Sequence, residues 1–251
     1  MLEMRNGSWR LFQFRGITVW LHWSWLVVAG IFFVLPGTIF SENIFVGIFT
    51  YLGLFGIVLI HEFGHALACR SVGGKADTIM LWPLGGIAFV QPPQRPGAVL
   101  WSIAAGPLVN VVLLPILFGL YLLAAFLIPT TPEGIPTTIL GSNLIEIVYW
   151  LNSINLVLLI FNMLPIYPLD GGQILQAILW FFIGRSRSLQ ITSAIGLVCA
   201  IVGGILALMS GRTWLFIIAI FVGWQAYNGY RVSQIMAQQE NQYRFDPWNR
   251  R

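Results

Sequence analysis

Six runs of apolar residues organise the chain, at approximately 17–35, 44–69, 98–128, 144–166, 189–209 and 213–230. A helix needs about 20 apolar residues to cross the ~30 Å hydrocarbon core of a bilayer, and each run is of that order. The third is the longest, about 46 Å if helical throughout. Pro107 and Pro115 lie inside it and predict a kink or a tilt. Between the second and third runs, 76–96 reads ADTIMLWPLGGIAFVQPPQRP. β-Formers flank the Gly85–Gly86 pair there, and Pro83 with the two glycines excludes a spanning helix, so a hairpin is predicted. At membrane depth such backbone is tolerated only against protein or a wet cavity. The expected architecture is an all-α polytopic membrane protein of about six transmembrane helices. A short membrane-associated β-hairpin or re-entrant loop separates helices 2 and 3. Residues 1–16 and the polar tail 231–251 are expected on the cytosolic side of a single transmembrane domain, 17–230, the tail fraying or lying on the membrane surface.

Composition agrees with the pattern. Only 9% of the 251 residues are charged, 57% are hydrophobic and the mean hydropathy is +0.80. Soluble domains carry roughly 25% charged residues, so this chain could not cover a water-facing surface. Eleven Trp, eighteen Phe and seven Tyr suit two lipid–water interfaces. The pI of about 9.4 does not signal nucleic acid, because the basic residues sit between apolar runs rather than in one patch. Twelve of the thirteen Lys and Arg fall in alternate connections, and the intervening connections hold one. That asymmetry puts both termini in the cytosol for six spans. The run after Arg5, Arg10 and Arg15 is long for a signal-peptide core and no A-x-A site closes it, so it reads as a retained span. Cys69 and Cys199 lie in or beside apolar segments and form no disulfide framework.

Candidate chemistry is concentrated in the second run. His61-Glu62-Phe63-Gly64-His65 puts two imidazoles one helical turn apart, able to grip one Zn²⁺, with Glu62 beside the metal as general base. Zinc lowers the pKa of its bound water to about 7. The plain alternative is a polar cluster that packs helices, but a charged side chain in mid-span costs roughly 2.5–3.5 kcal/mol on insertion scales. A catalytic zinc takes a third protein ligand, and the candidates near a span are Asp170, Glu146, His22 and Cys69. Depth separates them. His61 lies about 26 Å down the second run and Asn162 about 27 Å down the fourth, which runs in the same direction. Pro165, Pro168, Gly171 and Gly172 then break the helix and leave Asp170 in the layer of the HEFGH turn. Glu146 starts its run on the opposite side. Cys69 is about 12 Å from His61 along the helix. His22, in WLHWSW, reads as an interfacial anchor.

At these residues the sequence resembles the site-2 protease family of intramembrane metalloproteases. The match rests on His61-Glu62-Phe63-Gly64-His65-Ala66 and on Asn162-Met-Leu-Pro165-Ile-Tyr-Pro168-Leu169-Asp170-Gly171-Gly172. Pro83-Leu84-Gly85-Gly86 and Ala105-Gly106-Pro107 with Asn110 add to it, and the resemblance covers about 17–185. It implies one zinc ion on His61, His65 and Asp170, with Glu62 activating water. Asn162 would hold the substrate backbone or the developing oxyanion. Gly85 and Gly86, with Pro168, would receive an unwound substrate segment by β-strand pairing. A simpler role for Gly171 and Gly172, compatible with these, is a tight turn that presents Asp170. The implied partners are the lipid bilayer and a transmembrane-protein substrate: a membrane-tethered transcription factor, an anti-sigma factor or a remnant signal peptide. The implied location is a prokaryotic cell (inner) membrane. With no PDZ or CBS segment visible, the chain looks closest to the short branch that includes the sporulation protease.

Three other readings fit less well. A divalent-metal transporter needs polar residues along a path, and the fifth and sixth runs are nearly bare of ionisable groups. A prenyl-protein-type protease takes its third ligand from a downstream Glu, and Glu133, Glu146 and Glu240 lie at unsuitable depths. A catalytically silent scaffold would have no need of Glu62.

Overall fold

The structure is a computed structural model and describes residues 7–34, 43–82, 85–131 and 135–245. Its elements in chain order are β1 (Ser8–Phe14), β2 (Ile17–His22), α1 (Ser24–Val34), α2 (Ile44–Ser71), β3 (Lys75–Trp82) and β4 (Gly85–Gln91). They continue with α3 (Pro96–Leu127), α4 (Ile139–Met163), α5 (Asp170–Ile183), α6 (Arg185–Met209) and α7 (Thr213–Phe245). Two compact units result, one of residues 1–93 and 105–160, the other of residues 94–104 and 161–251.

In the first unit a four-stranded sheet of order β1-β2-β3-β4 corrects the all-α expectation. The first apolar run is not one helix. The β-branched stretch Ile17-Thr18-Val19 favours a pleated strand, and its residues alternate between buried and half-buried. The helix begins only at Ser24, whose hydroxyl lies against His22 Nδ1. Strands β1 and β2 close through a two-residue turn, Arg15–Gly16, with φ of 47° and 75°. Two positive φ values belong to the type I′ turn that matches strand twist. The Arg70 guanidinium donates to the Arg15 and Gly16 carbonyls and, at 2.9 Å, to Asp77 Oδ1, which ties this turn to β3. Strand β2 runs parallel to β3, so the chain between them is a crossover containing α1 and α2. Strands β3 and β4 pair antiparallel, as the residue pattern predicts. The Pro83–Leu84 turn lies outside the described residues.

Helix α2 starts at Asn43, whose side chain accepts the Phe45 and Val46 N–H groups as an N-cap should. It stops where Gly73 takes φ +85°, and Gly73 and Gly74 donate back to the Arg70 and Cys69 carbonyls. Ile17, Val19, Trp25, Val58, Ala66, Ile79 and Leu81 form the core between sheet and helix, with Cys69 fully buried among them. Cys69 is therefore a packing residue.

In the second unit α5 follows the Pro-broken stretch directly, an element the proline and glycine pattern concealed. Gly184 and Gly211, both with positive φ, separate α5 from α6 and α6 from α7. Gly196, Ala200, Gly204 and Ala207 form a buried small-residue face on α6, with Gly223 and Ala226 on α7 against it. Small residues let helices approach closely where lipid removes the hydrophobic drive. Of the tail, residues 231–245 are helical, because α7 continues to Phe245.

Among the described residues four helices, α2, α3, α4 and α6, are long and apolar enough to cross a membrane. Helix α1 has 11 residues among those described, about half the length of a span, and α7 carries Gln225 and Asn228 in its apolar half. Leu122, Leu123 and Phe126 of α3 are exposed, as lipid-facing side chains are.

Candidate metal centre

In the first unit the HEFGH turn lies in the C-terminal half of α2, and His61, Glu62 and His65 are each no more than 6% exposed. One turn of helix brings the two imidazoles face to edge, with ring centroids 4.7 Å apart. Their Nε2 atoms are 3.1 Å apart. Two nitrogens at about 2.0–2.1 Å from a tetrahedral ion lie about 3.3 Å apart, so the pair fits such an ion. The Nδ1 atom of His61 meets Asn110 Oδ1 at 2.7 Å.

Helix α3 lies close against this turn because glycines remove the side chains between them. A Cβ on Gly64 would come within 2.7 Å of the Ala105 carbonyl oxygen. On Gly106 it would reach His61 Nε2 at 2.8 Å and approach His65 Nε2 still more closely. The space beside both nitrogens is thus kept open by the absence of one methyl group.

Glu62 faces the sheet. Its Oε2 accepts the Ala88 N–H at 2.9 Å, so this backbone donor of the edge strand β4 points away from β3. Gly86, opposite Leu81 in the ladder, lies against the Glu62 carboxyl group, with which a Cβ there would collide. Gly85 stands opposite Trp82. His22 stacks on Trp82 at 4.4 Å, and Glu146 sits near the start of α4.

In the second unit Asn162 is half-buried in the last turn of α4. The Tyr167–Pro168 peptide bond is cis, and the Pro168 carbonyl accepts Gln173 Nε2 at 2.9 Å. Asp170 is the first residue of α5 and half-buried, where the helix N-terminus favours a carboxylate. Gly171 and Gly172 lie under the returning chain: a Cβ on Gly172 would be 2.6 Å from the Ile166 carbonyl oxygen. The glycine pair is required by this close approach.

Sequence reasoning assigned no role to Asn110, Asn155, Ala88 or Gly106. The signal for the two asparagines was present, since each is an uncharged polar residue in an otherwise apolar helix.

A converging imidazole pair beside a buried carboxylate, on a helix apolar enough to cross a bilayer, defines a membrane protein built around a metal-binding turn. Residues 49–206 match the model of peptidase family M50, and the chain belongs to that family. A zinc metalloprotease of Methanocaldococcus jannaschii is 31% identical over 92% of this chain and 62% of its own length. The stage IV sporulation protein FB of Bacillus subtilis is 33% identical over 47% of this chain and 36% of its own. The chain thus spans less than two thirds of either relative. The solved structure of the site-2 protease from Methanocaldococcus jannaschii aligns with a TM-score of 0.64 at 30% identity, covering 89% of this chain and 95% of that one.

Proposed function

We propose that the protein is an intramembrane zinc metalloendopeptidase that hydrolyses peptide bonds within or next to the transmembrane segments of other membrane proteins. The observation that carries this reading is the pair of Nε2 atoms 3.1 Å apart beside the buried Glu62. In it, His61, His65 and Asp170 hold one Zn²⁺, two imidazole nitrogens and a carboxylate oxygen being donors that zinc takes. The bound ion would supply Lewis acidity and a water acidic enough to act at neutral pH.

Glu62 takes the proton of the attacking water at its carboxylate and later delivers it to the leaving amine. Asn162 donates its side-chain amide to the developing oxyanion. The Gly85–Gly86 end of β4 pairs with an extended stretch of substrate, with Pro168 bordering it. Strand pairing suits the chemistry, because a peptide bond within a helix is shielded from attack. The position of β4 at the edge of the sheet supports this role, since an edge strand can take an added strand on the side away from β3.

The substrates are transmembrane proteins such as a membrane-tethered transcription factor, an anti-sigma factor or a remnant signal peptide. In this reading six spans within 17–230 leave both termini in the cytosol of a prokaryotic cell, with a membrane-associated hairpin at β3–β4 and the catalytic core in 17–185. The distribution of Lys and Arg supports that topology. Water reaches the site from the cytosolic side. A Glu62→Gln variant co-expressed with single-span candidate substrates tests the proposal. Zinc content is retained and cleavage falls by at least about 100-fold, the scale of general-base catalysis; cleavage at the normal rate refutes it.

A further inference from the structure

We infer that Asn110 is a positioning residue that fixes which nitrogen of His61 faces the metal. The inference rests on His61 being a ligand, as proposed above.

An imidazole offers two nitrogens, and in its neutral form one carries hydrogen while the other has a free lone pair. Only the second can bind a metal, so the partner of the first decides how the ring is presented. In the first unit the choice is written in geometry. The Nε2 atoms of His61 and His65 converge, and His61 Nδ1 is turned away toward α3. Asn110 Oδ1 meets it at 2.7 Å, and Asn110 is 1% exposed. An amide oxygen is an acceptor only, so this contact requires hydrogen on Nδ1 and leaves Nε2 bare. The reversed amide would present N–H to Nδ1, place the hydrogen on Nε2 and abolish binding there.

Asn110 is itself held. Asn155 on α4 is fully buried and donates its Nδ2 to the Asn110 backbone carbonyl at 2.9 Å. Among the described residues, neither Asn110 Nδ2 nor Asn155 Oδ1 has a hydrogen-bond partner. The same face of α3, one turn earlier, carries Gly106 beside both Nε2 atoms. Gly106 thus leaves room at Nε2, and Asn110 fixes Nδ1.

The experiment uses the full chain in detergent. Among 251 residues only three are histidine, so ¹⁵N-histidine labelling gives a resolvable spectrum of the zinc-loaded protein. The expected result is His61 bound through Nε2 with hydrogen on Nδ1. Binding through Nδ1, or hydrogen on Nε2, overturns the inference without any mutation. In parallel, Asn110→Leu keeps the volume and removes the acceptor, whereas Asn110→Asp keeps an oxygen in place. Competition with a chelator is expected to show a 10- to 100-fold loss of zinc affinity for Leu, of the order seen for outer-shell partners, and recovery for Asp. Wild-type zinc affinity in a folded Asn110→Leu protein overturns it. If His61 proves not to bind zinc at all, it is the proposed function that fails, and the labelled spectrum separates the two outcomes.

Discussion

Gly106→Ala adds one methyl group at the point where the metal-binding nitrogens meet. The new carbon would stand 2.8 Å from His61 Nε2 and closer still to His65 Nε2. An unstrained nonbonded separation is roughly 3.5 Å, so the His61 ring must retreat by about 0.7 Å and the His65 ring by more. Ligand distances in a metal site tolerate about 0.2 Å. Both rings therefore leave the range in which one ion can hold them. Overpacking of this kind costs about 1–3 kcal/mol, partly offset by the roughly 1 kcal/mol by which Ala exceeds Gly in a helix. The protein should remain folded while its function collapses. The assay is zinc content of the purified protein together with cleavage of a single-span reporter. The expected result is substoichiometric zinc and cleavage reduced by about 100-fold or more, the scale of a 1 Å misplacement. Gly119→Ala on the same helix is the control, because no atom of the described residues lies within 4 Å of its added carbon. Wild-type zinc content and cleavage in Gly106→Ala would refute the reasoning.

Two further substitutions probe neighbouring features. Gly86→Ala drives a methyl group into the Glu62 carboxyl; kcat is expected to fall by about 10²-fold or more with zinc content unchanged, as metal analysis beside a cleavage assay would record. Gly73→Ala meets no atom of the described residues within 4 Å, so only its φ of +85° opposes the change. A loss of about 1–2 kcal/mol is expected, read as a lower midpoint in thermal unfolding with cleavage intact at low temperature.

The HEFGH turn was legible because helical spacing alone puts residues four apart on one face, and because ionisable groups are rare enough in apolar runs to stand out. The β3–β4 pair was legible from β-formers flanking a glycine pair. The β1–β2 hairpin was not. Its turn is Arg15–Gly16, with arginine where asparagine or aspartate usually announces two positive φ values, and its second strand is apolar enough to merge with the helix that follows. Helix α5 was hidden for the opposite reason. Pro165, Pro168 and the two glycines signal a break, yet the glycines lie within the helix, where the returning chain leaves no room for a side chain. The role of Asn110 depends on a partner 49 positions away, a distance that no local pattern encodes.

The parallel ladder between β2 and β3 constrains the chain that joins them. Two strands that run the same way cannot be closed by a tight turn and need a long crossover, so α2 serves as the return arm that brings β3 alongside β2. The amino-terminal hairpin is thereby moored at the end of α2 that carries Arg70, whose guanidinium reaches the Arg15 and Gly16 carbonyls.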